Sequence, residues 1–229
     1  MKLIWYGHSA FRIEIGGSVL LIDPFLKGNP TFESSGICWD HAVAGVTHIA
    51  LTHGHDDHVG DTVKISKATG ATVFAVYELA LHLGTLGLKK LEPMGQGGTI
   101  GLNEFSITMT HAQHSSSSNG VYLGTACGLI IDAKEGPTLY HMGDTDIFSD
   151  MELINTLYKP DIGIVPIGDR FTMGGRTAAY ACKKYFCFKE VVPCHYGTFS
   201  FLEQSADFFV SEMVGQSVLI PQLGIGIEV

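Results

Sequence analysis

Short apolar runs, each closed by glycine, proline or a polar residue, set the pattern of this chain. Residues 3–6 are apolar, 11–15 alternate around Arg12 and Glu14, and 19–22 are apolar again. These predict three strands, with Gly16-Gly17 as the hairpin between the last two and Pro24 ending the third. Residues 26–45, rich in Gly, Ser, Asn and Pro, predict an irregular loop over one face. Phe25, Phe32 and Trp39 either anchor that loop or line a substrate pocket. A buried strand is expected over 46–51, a short helix over 61–69 stopped by Gly70, and a strand over 72–76. A helix over 78–86 carries Leu79, Leu83 and Leu86 and ends at Gly87.

Further strands are predicted at 105–111, 121–124, 127–131, 138–141, 161–166 and 190–193. Ser149-Asp150-Met151-Glu152 fits a capping box opening a helix that Pro160 ends. Helices follow over 177–186 and 203–213, and the last residues fold back as one or two strands. Residues 127–132, the turn at Gly136-Pro137 and 138–144 echo 11–23. The echo predicts two similar halves, each a sheet with helices on its outer side. No linker separates them, so residues 1–229 read as one domain.

One segment breaks the apolar pattern with reactive groups. Thr52-His53-Gly54-His55-Asp56-Asp57-His58 follows the strand over 46–51, and Gly54 lets the chain turn sharply there. His53 and His55 lie two apart and can aim both rings at one point; Asp57 and His58 can face a second point beside it. Imidazole nitrogens with a carboxylate oxygen are what two adjacent metal ions require. Three later strand ends offer further donors: His111 and His114, Asp144, and His195.

Composition narrows the setting. The 229 residues are 45% hydrophobic, ample for a core, and the formal charge of −9 argues against nucleic acid or anionic membrane as partner. Five cysteines without a C-x-x-C pair read as reduced thiols of a cytoplasmic protein. The amino terminus breaks its apolar run too early for a signal peptide, and no stretch approaches the ~20 apolar residues that span a bilayer.

His53-x-His55-x-Asp57-His58, followed by His114, Asp144 and His195 in that order, resembles the metallo-β-lactamase superfamily over nearly the whole chain. Gly7-His8-Ser9-Ala10, Leu21-Ile22-Asp23-Pro24 and Ile167-Gly168-Asp169-x-Phe171-Thr172-Met173-Gly174 are similar to the metal-dependent hydrolases related to ascorbate-6-phosphate lactonases. The resemblance implies an α/β fold, a four-layer αββα sandwich of two mixed β-sheets flanked by helices, with its site at one sheet edge. It implies a first metal on His53, His55 and His114, a second on Asp57, His58 and His195, and Asp144 bridging both.

The expected activity is that of a dinuclear metal-dependent hydrolase. A metal-bridging hydroxide would cleave a small lactone, ester, amide or phosphodiester, with Asp57 orienting the water and taking its proton. Zinc suits the imidazoles, and the carboxylates leave manganese or iron open. Asp23 and Asp61 are candidate acceptors that fix the histidine tautomers. His8 is expected at the pocket, and His111 is a pocket donor or plain surface. Arg170 either clamps an anionic substrate or pairs with Asp169. Residues 25–45 could equally serve a homo-oligomer interface. The alternative activity is a non-hydrolytic redox or sensor role on the same scaffold.

Overall fold

The first half begins as an antiparallel meander of β1 (Lys2–Trp5), β2 (Phe11–Ile15) and β3 (Ser18–Ile22), because two tight turns return each short apolar strand onto the last. After helices α1 (Pro30–Ser34) and α2 (Trp39–Val43) come β4 (His48–Ala50), α3 (Asp56–Val59), α4 (Thr62–Thr69), β5 (Thr72–Val76), α5 (Tyr77–Thr85) and β6 (Leu91–Met94). Here intervening helices carry the chain back, so β3 to β6 run parallel. The structure, a computed structural model, describes residues 1–229.

The second half repeats the plan. It comprises β7 (Thr99–Gly101), β8 (Phe105–His111), the hairpin β9 (Ser117–Ser118) and β10 (Val121–Tyr122), then β11 (Cys127–Ala133) and β12 (Thr138–His141). Then follow α6 (Met151–Tyr158), β13 (Ile162–Pro166), α7 (Gly175–Tyr185), β14 (Glu190–Cys194), α8 (Asp207–Glu212) and β15 (Ile227–Glu228). The main sheets are β15-β1-β2-β3-β4-β5-β6 and β14-β13-β12-β11-β8-β7, both mixed. The echo of 11–23 in 127–144 is therefore structural: the hairpins β2–β3 and β11–β12 each lead into parallel strands. Only β15 crosses over, pairing with β1.

Both sheets bury apolar strand faces in one contiguous core that includes Leu3, Phe11, Ile13, Leu20, Phe105, Leu129 and Ile164. Helices cover the outer faces, giving the four-layer αββα sandwich. The seam between the sheets is also tied by backbone. Cys127 N–H donates to the Thr52 carbonyl at 2.9 Å, and His195 N–H donates to the His8 carbonyl at 3.1 Å.

Several elements differ from the expectations. Residues 26–45 hold two five-residue helices; Asn29 caps the first, its side chain accepting from Thr31 and Phe32 N–H, with Pro30 at the first helical position. Phe32 is buried edge-on to Tyr6 and Trp39 lies under Lys64, so both anchor the loop, whereas Phe25 faces His8. Asp150, not Ser149, is the N-cap of α6, and the Ser149 hydroxyl bonds the Asp150 carboxylate instead. The last helix begins at Asp207 rather than 203, and the Glu203 N–H before it donates to the Gly168 carbonyl. Edge strands β6 and β7 were not expected; Pro93 inside β6 is tolerated at a sheet edge.

Gly143 joins β12 to Asp144 with φ of 66°, and an added Cβ would stand 2.5 Å from the Cys127 carbonyl oxygen. Gly143→Ala is expected to cost about 2 kcal/mol or more, lowering Tm by roughly 4–8 °C for a chain of this size. Thermal unfolding followed by circular dichroism checks this.

Candidate metal centre

Six strands end along one edge of the sandwich, and each hands over a polar residue. His8 follows β1, Asp23 follows β3, the 52–58 segment follows β4, His114 follows β8, Asp144 follows β12, and His195 directly follows β14. His8, Asp23 and His195 adopt φ of 53°, 44° and 61°, in the left-handed region that costs a non-glycine residue ~1–2 kcal/mol. That strain turns their side chains back over the sheet edge. Gly168 makes room for one of them: a Cβ there would strike the carbonyl oxygen of His195.

The donor atoms converge. His55 Nδ1 lies 2.8 Å from His53 Nε2 and 3.3 Å from His114 Nε2. Asp144 Oδ2 lies 2.9 Å from His195 Nε2, 3.3 Å from His58 Nε2 and 3.7 Å from His114 Nε2. Asp57 Oδ2 lies 4.0 Å from His58 Nε2. Three overlapping groups have all their donor atoms within 4.8 Å of one another: His53, His55, His114; His53, His58, Asp144; and His8, Asp57, His58, His195.

A set of residues around these donors fixes their orientation. Asp23, wholly buried, accepts from Thr52 N–H at 2.8 Å through Oδ1, and its Oδ2 lies 2.6 Å from Thr52 Oγ1 and 2.7 Å from His58 Nδ1. Thr52 Oγ1 also lies 2.9 Å from His53 Nδ1. One carboxylate thus directs two histidines, holding the proton of each on Nδ1 and leaving Nε2 turned to the centre. On the other side His8 Nε2 meets Asp57 Oδ2 at 3.1 Å, and His8 Nδ1 meets Thr198 Oγ1 at 3.1 Å. Ser116 Oγ accepts the Gly54 N–H at 3.0 Å, and Ser118 donates to Asp56, so the β9–β10 hairpin is fastened to the histidine segment.

The electrostatics follow from burial among mixed charges. Burial raises the Asp144 carboxyl, but His195 and His58 overcome it and hold it well below the usual range. Burial lowers His58, yet Asp144, Asp23 and Asp57 together hold it well above its ordinary value. Asp57 would rise on burial, but His58 and the His8 hydrogen bond keep it ionised. His8 is pushed down to about 4 by burial and by His195, and His53 is lowered well below its ordinary value by burial and by His58.

These residues fit a metal. Asp144 Oδ1 is buried without a hydrogen-bond partner, a costly arrangement for a polar atom with nothing to bind. Nitrogens of two histidines on one tetrahedral ion at ~2.0–2.1 Å lie roughly 3.3 Å apart, the His55–His114 separation.

Not every sequence candidate reaches this cluster. Asp61 directs no histidine: its carboxylate accepts Leu26 and Lys27 N–H and fixes the turn after Pro24. His111 is exposed at the end of β8 against Phe148, on another face of the strand end from His114. Asp169 and Arg170 are exposed, belong to none of the donor groups and make no ion pair with each other; the Arg170 guanidinium lies over Phe171 and Phe201. Thr52 and Thr198 are not among the sequence candidates, although Thr52 adjoins His53 in the sequence.

Two mixed sheets face to face, with histidines and aspartates gathered where their strands end, define an αββα sandwich with a candidate metal centre at its edge. A family model described as the beta-lactamase superfamily domain matches residues 2–195, and the chain belongs to the metallo-β-lactamase superfamily. It is 54% identical over 230 residues to a UPF0173 metal-dependent hydrolase of Methylocella silvestris, covering 99% of this chain and 98% of the relative. It is 57% identical over 218 residues to the like-named protein of Brucella anthropi, covering 93% and 92%. Among solved structures, Igni18, a metallo hydrolase of the archaeon Ignicoccus hospitalis, is 31% identical with TM-score 0.87, covering 100% of this chain and 98% of that one. An isothiocyanate hydrolase from Delia radicum gut bacteria, 21% identical over 100% of this chain and 99% of its own, shares the fold with TM-score 0.78.

Thr52→Val removes the hydroxyl between Asp23 and His53 at nearly constant volume. It is expected to weaken divalent-metal affinity about 10–100-fold with the fold retained, as measured by competition with a chelating dye. An unchanged affinity would dismiss the relay through Thr52.

Proposed function

We propose that residues 1–229 form one hydrolase domain whose edge cluster holds two divalent ions and cleaves a small ester-like bond. The observation that carries this reading is the central place of Asp144 Oδ2, within 3.7 Å of nitrogens from His58, His114 and His195. His53, His55 and His114 would hold one ion, Asp57, His58 and His195 the other, and Asp144 both. The imidazole-rich donors favour zinc, with manganese or iron admitted by the carboxylates. Bound there, two dications supply a water acidified toward neutrality and Lewis-acid polarisation of the scissile oxygen.

The chain's own groups do the rest. Asp57, kept ionised and steered by His8, orients the attacking water and accepts its proton as the new bond forms, then returns that proton to the leaving oxygen or nitrogen as the scissile bond breaks. Asp23 and Thr52 keep His58 and His53 in the tautomer that presents Nε2. His8, neutral at pH 7, holds Asp57 without adding a competing charge. The substrate class is a lactone, carboxylic ester, amide or phosphodiester of a small molecule, with a lactone or phosphorylated sugar favoured by the related branch. The acidic balance of −9 disfavours nucleic acid as substrate, and a cytoplasmic setting suits the free cysteines.

Elemental analysis of the purified chain is expected to give about two transition-metal ions per wild-type chain and fewer in Asp144→Ala. Absence of any tightly held ion after loading would sink this reading. Asp57→Asn is expected to lower turnover about 10²–10⁴-fold on whichever lactone or phosphodiester a substrate screen identifies. Chelation should abolish that activity, and re-addition of the metal should restore it.

A further inference from the structure

Aromatic side chains form a second row along the same edge, which the metal chemistry does not use. Phe25, after β3, and Phe199, after β14, flank His8 with ring centroids 6.0 and 5.6 Å from its imidazole. The two phenyl rings stack at 6.3 Å. Phe199 stacks in turn on Phe201 at 5.4 Å with only 11° between the planes, and Phe171 meets Phe201 edge-on at 5.8 Å. The Arg170 guanidinium stands over both outer rings, 5.3 Å from Phe201 and 5.6 Å from Phe171. The row begins at His8, whose imidazole bonds Asp57, and ends at a cation.

Exposure, an uncommitted cation and a constrained backbone characterise it. Phe171 and Phe201 are 55% and 49% exposed, side by side and uncovered, where a purely structural pair would gain by burial. Arg170 makes no ion pair, as holds for most cations of this chain, so its guanidinium is not already committed to an acid. The backbone that carries it is held in place: Asp169 and Arg170 have φ of 61° and 28°. Asp169 N–H donates to the Met173 carbonyl at 3.1 Å, and the Glu203 N–H to Gly168 bond, also 3.1 Å, ties this turn to the segment bearing Phe199 and Phe201. Strain of this kind persists where the direction of a side chain matters. A guanidinium stacked on a ring keeps its in-plane N–H donors free for a bidentate anion.

We infer that this row is the substrate-recognition wall of the hydrolase proposed above, on whose reading it rests. Arg170 takes an anionic group, carboxylate or phosphate, at the far end of the substrate. The flat apolar body of the substrate lies along Phe201 and Phe199, and its scissile bond reaches the cluster beside His8. Within the lactones and esters proposed above, the wall favours small aromatic or similarly planar ones with a distal anion, and it disfavours the aliphatic phosphorylated sugars that the related branch suggests.

Matched probes test this by calorimetric titration of the metal-loaded chain at low salt. Benzoate is compared with terephthalate, and the para-linked biphenyl monocarboxylate with its dicarboxylate and with its distal phosphonate. In at least one set the distal anion is expected to tighten binding roughly tenfold. Arg170→Gln should bring that probe down to the affinity of its monocarboxylate, and Phe201→Ala should weaken every member several-fold. A preference for either distal anion supports the assignment and identifies the group Arg170 takes. Equal affinities within every set, no binding of any probe, or a preference that survives in Arg170→Gln overturns it. Metal content of the same samples separates the two readings: full occupancy without the preference overturns only the wall, and failure to take up metal overturns the hydrolase reading beneath it.

Discussion

His58 stands between two buried carboxylates, Asp23 at 2.7 Å and Asp144 at 3.3 Å, and the two come from different sheets. Three such groups cannot be taken from water singly. A buried charge without its partners is among the costliest faults a fold can carry, so each member of this row requires the other two. The requirement fixes how the sheets meet, because only one docking brings the residue after β3 and the residue after β12 to opposite nitrogens of one imidazole. The backbone bonds from Cys127 to Thr52 and from His195 to His8 close the seam on either side.

Asp23 and Asp144 occupy corresponding places in the two halves, each just past the second strand of a hairpin that leads into a parallel strand. Their environments divide their work. Asp23 is fully engaged, with both oxygens committed to Thr52 and His58, and so it serves as a fixed support. Asp144 keeps Oδ1 free of any hydrogen bond and stands among nitrogens of three histidines, so it retains capacity for a ligand. One repeated position has yielded a buttress in one sheet and a carboxylate with an unengaged oxygen in the other.

Much of this was legible in the sequence. Strands such as β2, β5, β8 and β12 announced themselves through period and punctuation, and the histidine segment through donor chemistry at close spacing. What escaped depends on contacts between distant residues. Nothing local to Thr52 tells that its hydroxyl will lie between Asp23 and His53, and nothing in a run of serines distinguishes a solvated loop from a hairpin bonded to Gly54 and Asp56. Asp61 illustrates the converse: a carboxylate near the histidines in sequence was claimed by the backbone of Leu26 and Lys27. The short helices in 26–45 were masked by loop-like composition, although Asn29-Pro30 is a helix-start signal.

The cluster draws on residues from His8 through to Thr198, on both sides of the seam. During synthesis the amino-terminal histidines leave the ribosome with Asp23 but without Asp144, His195 or Thr198. At that stage His53, His55 and His58 stand without the donors that the second half supplies. A complete cage arises only once the second sheet has docked and β14 has delivered its last residue. On the two-ion reading proposed above, metal capture is a late event in the life of each molecule, and the choice of ion falls to the finished fold rather than to the nascent chain.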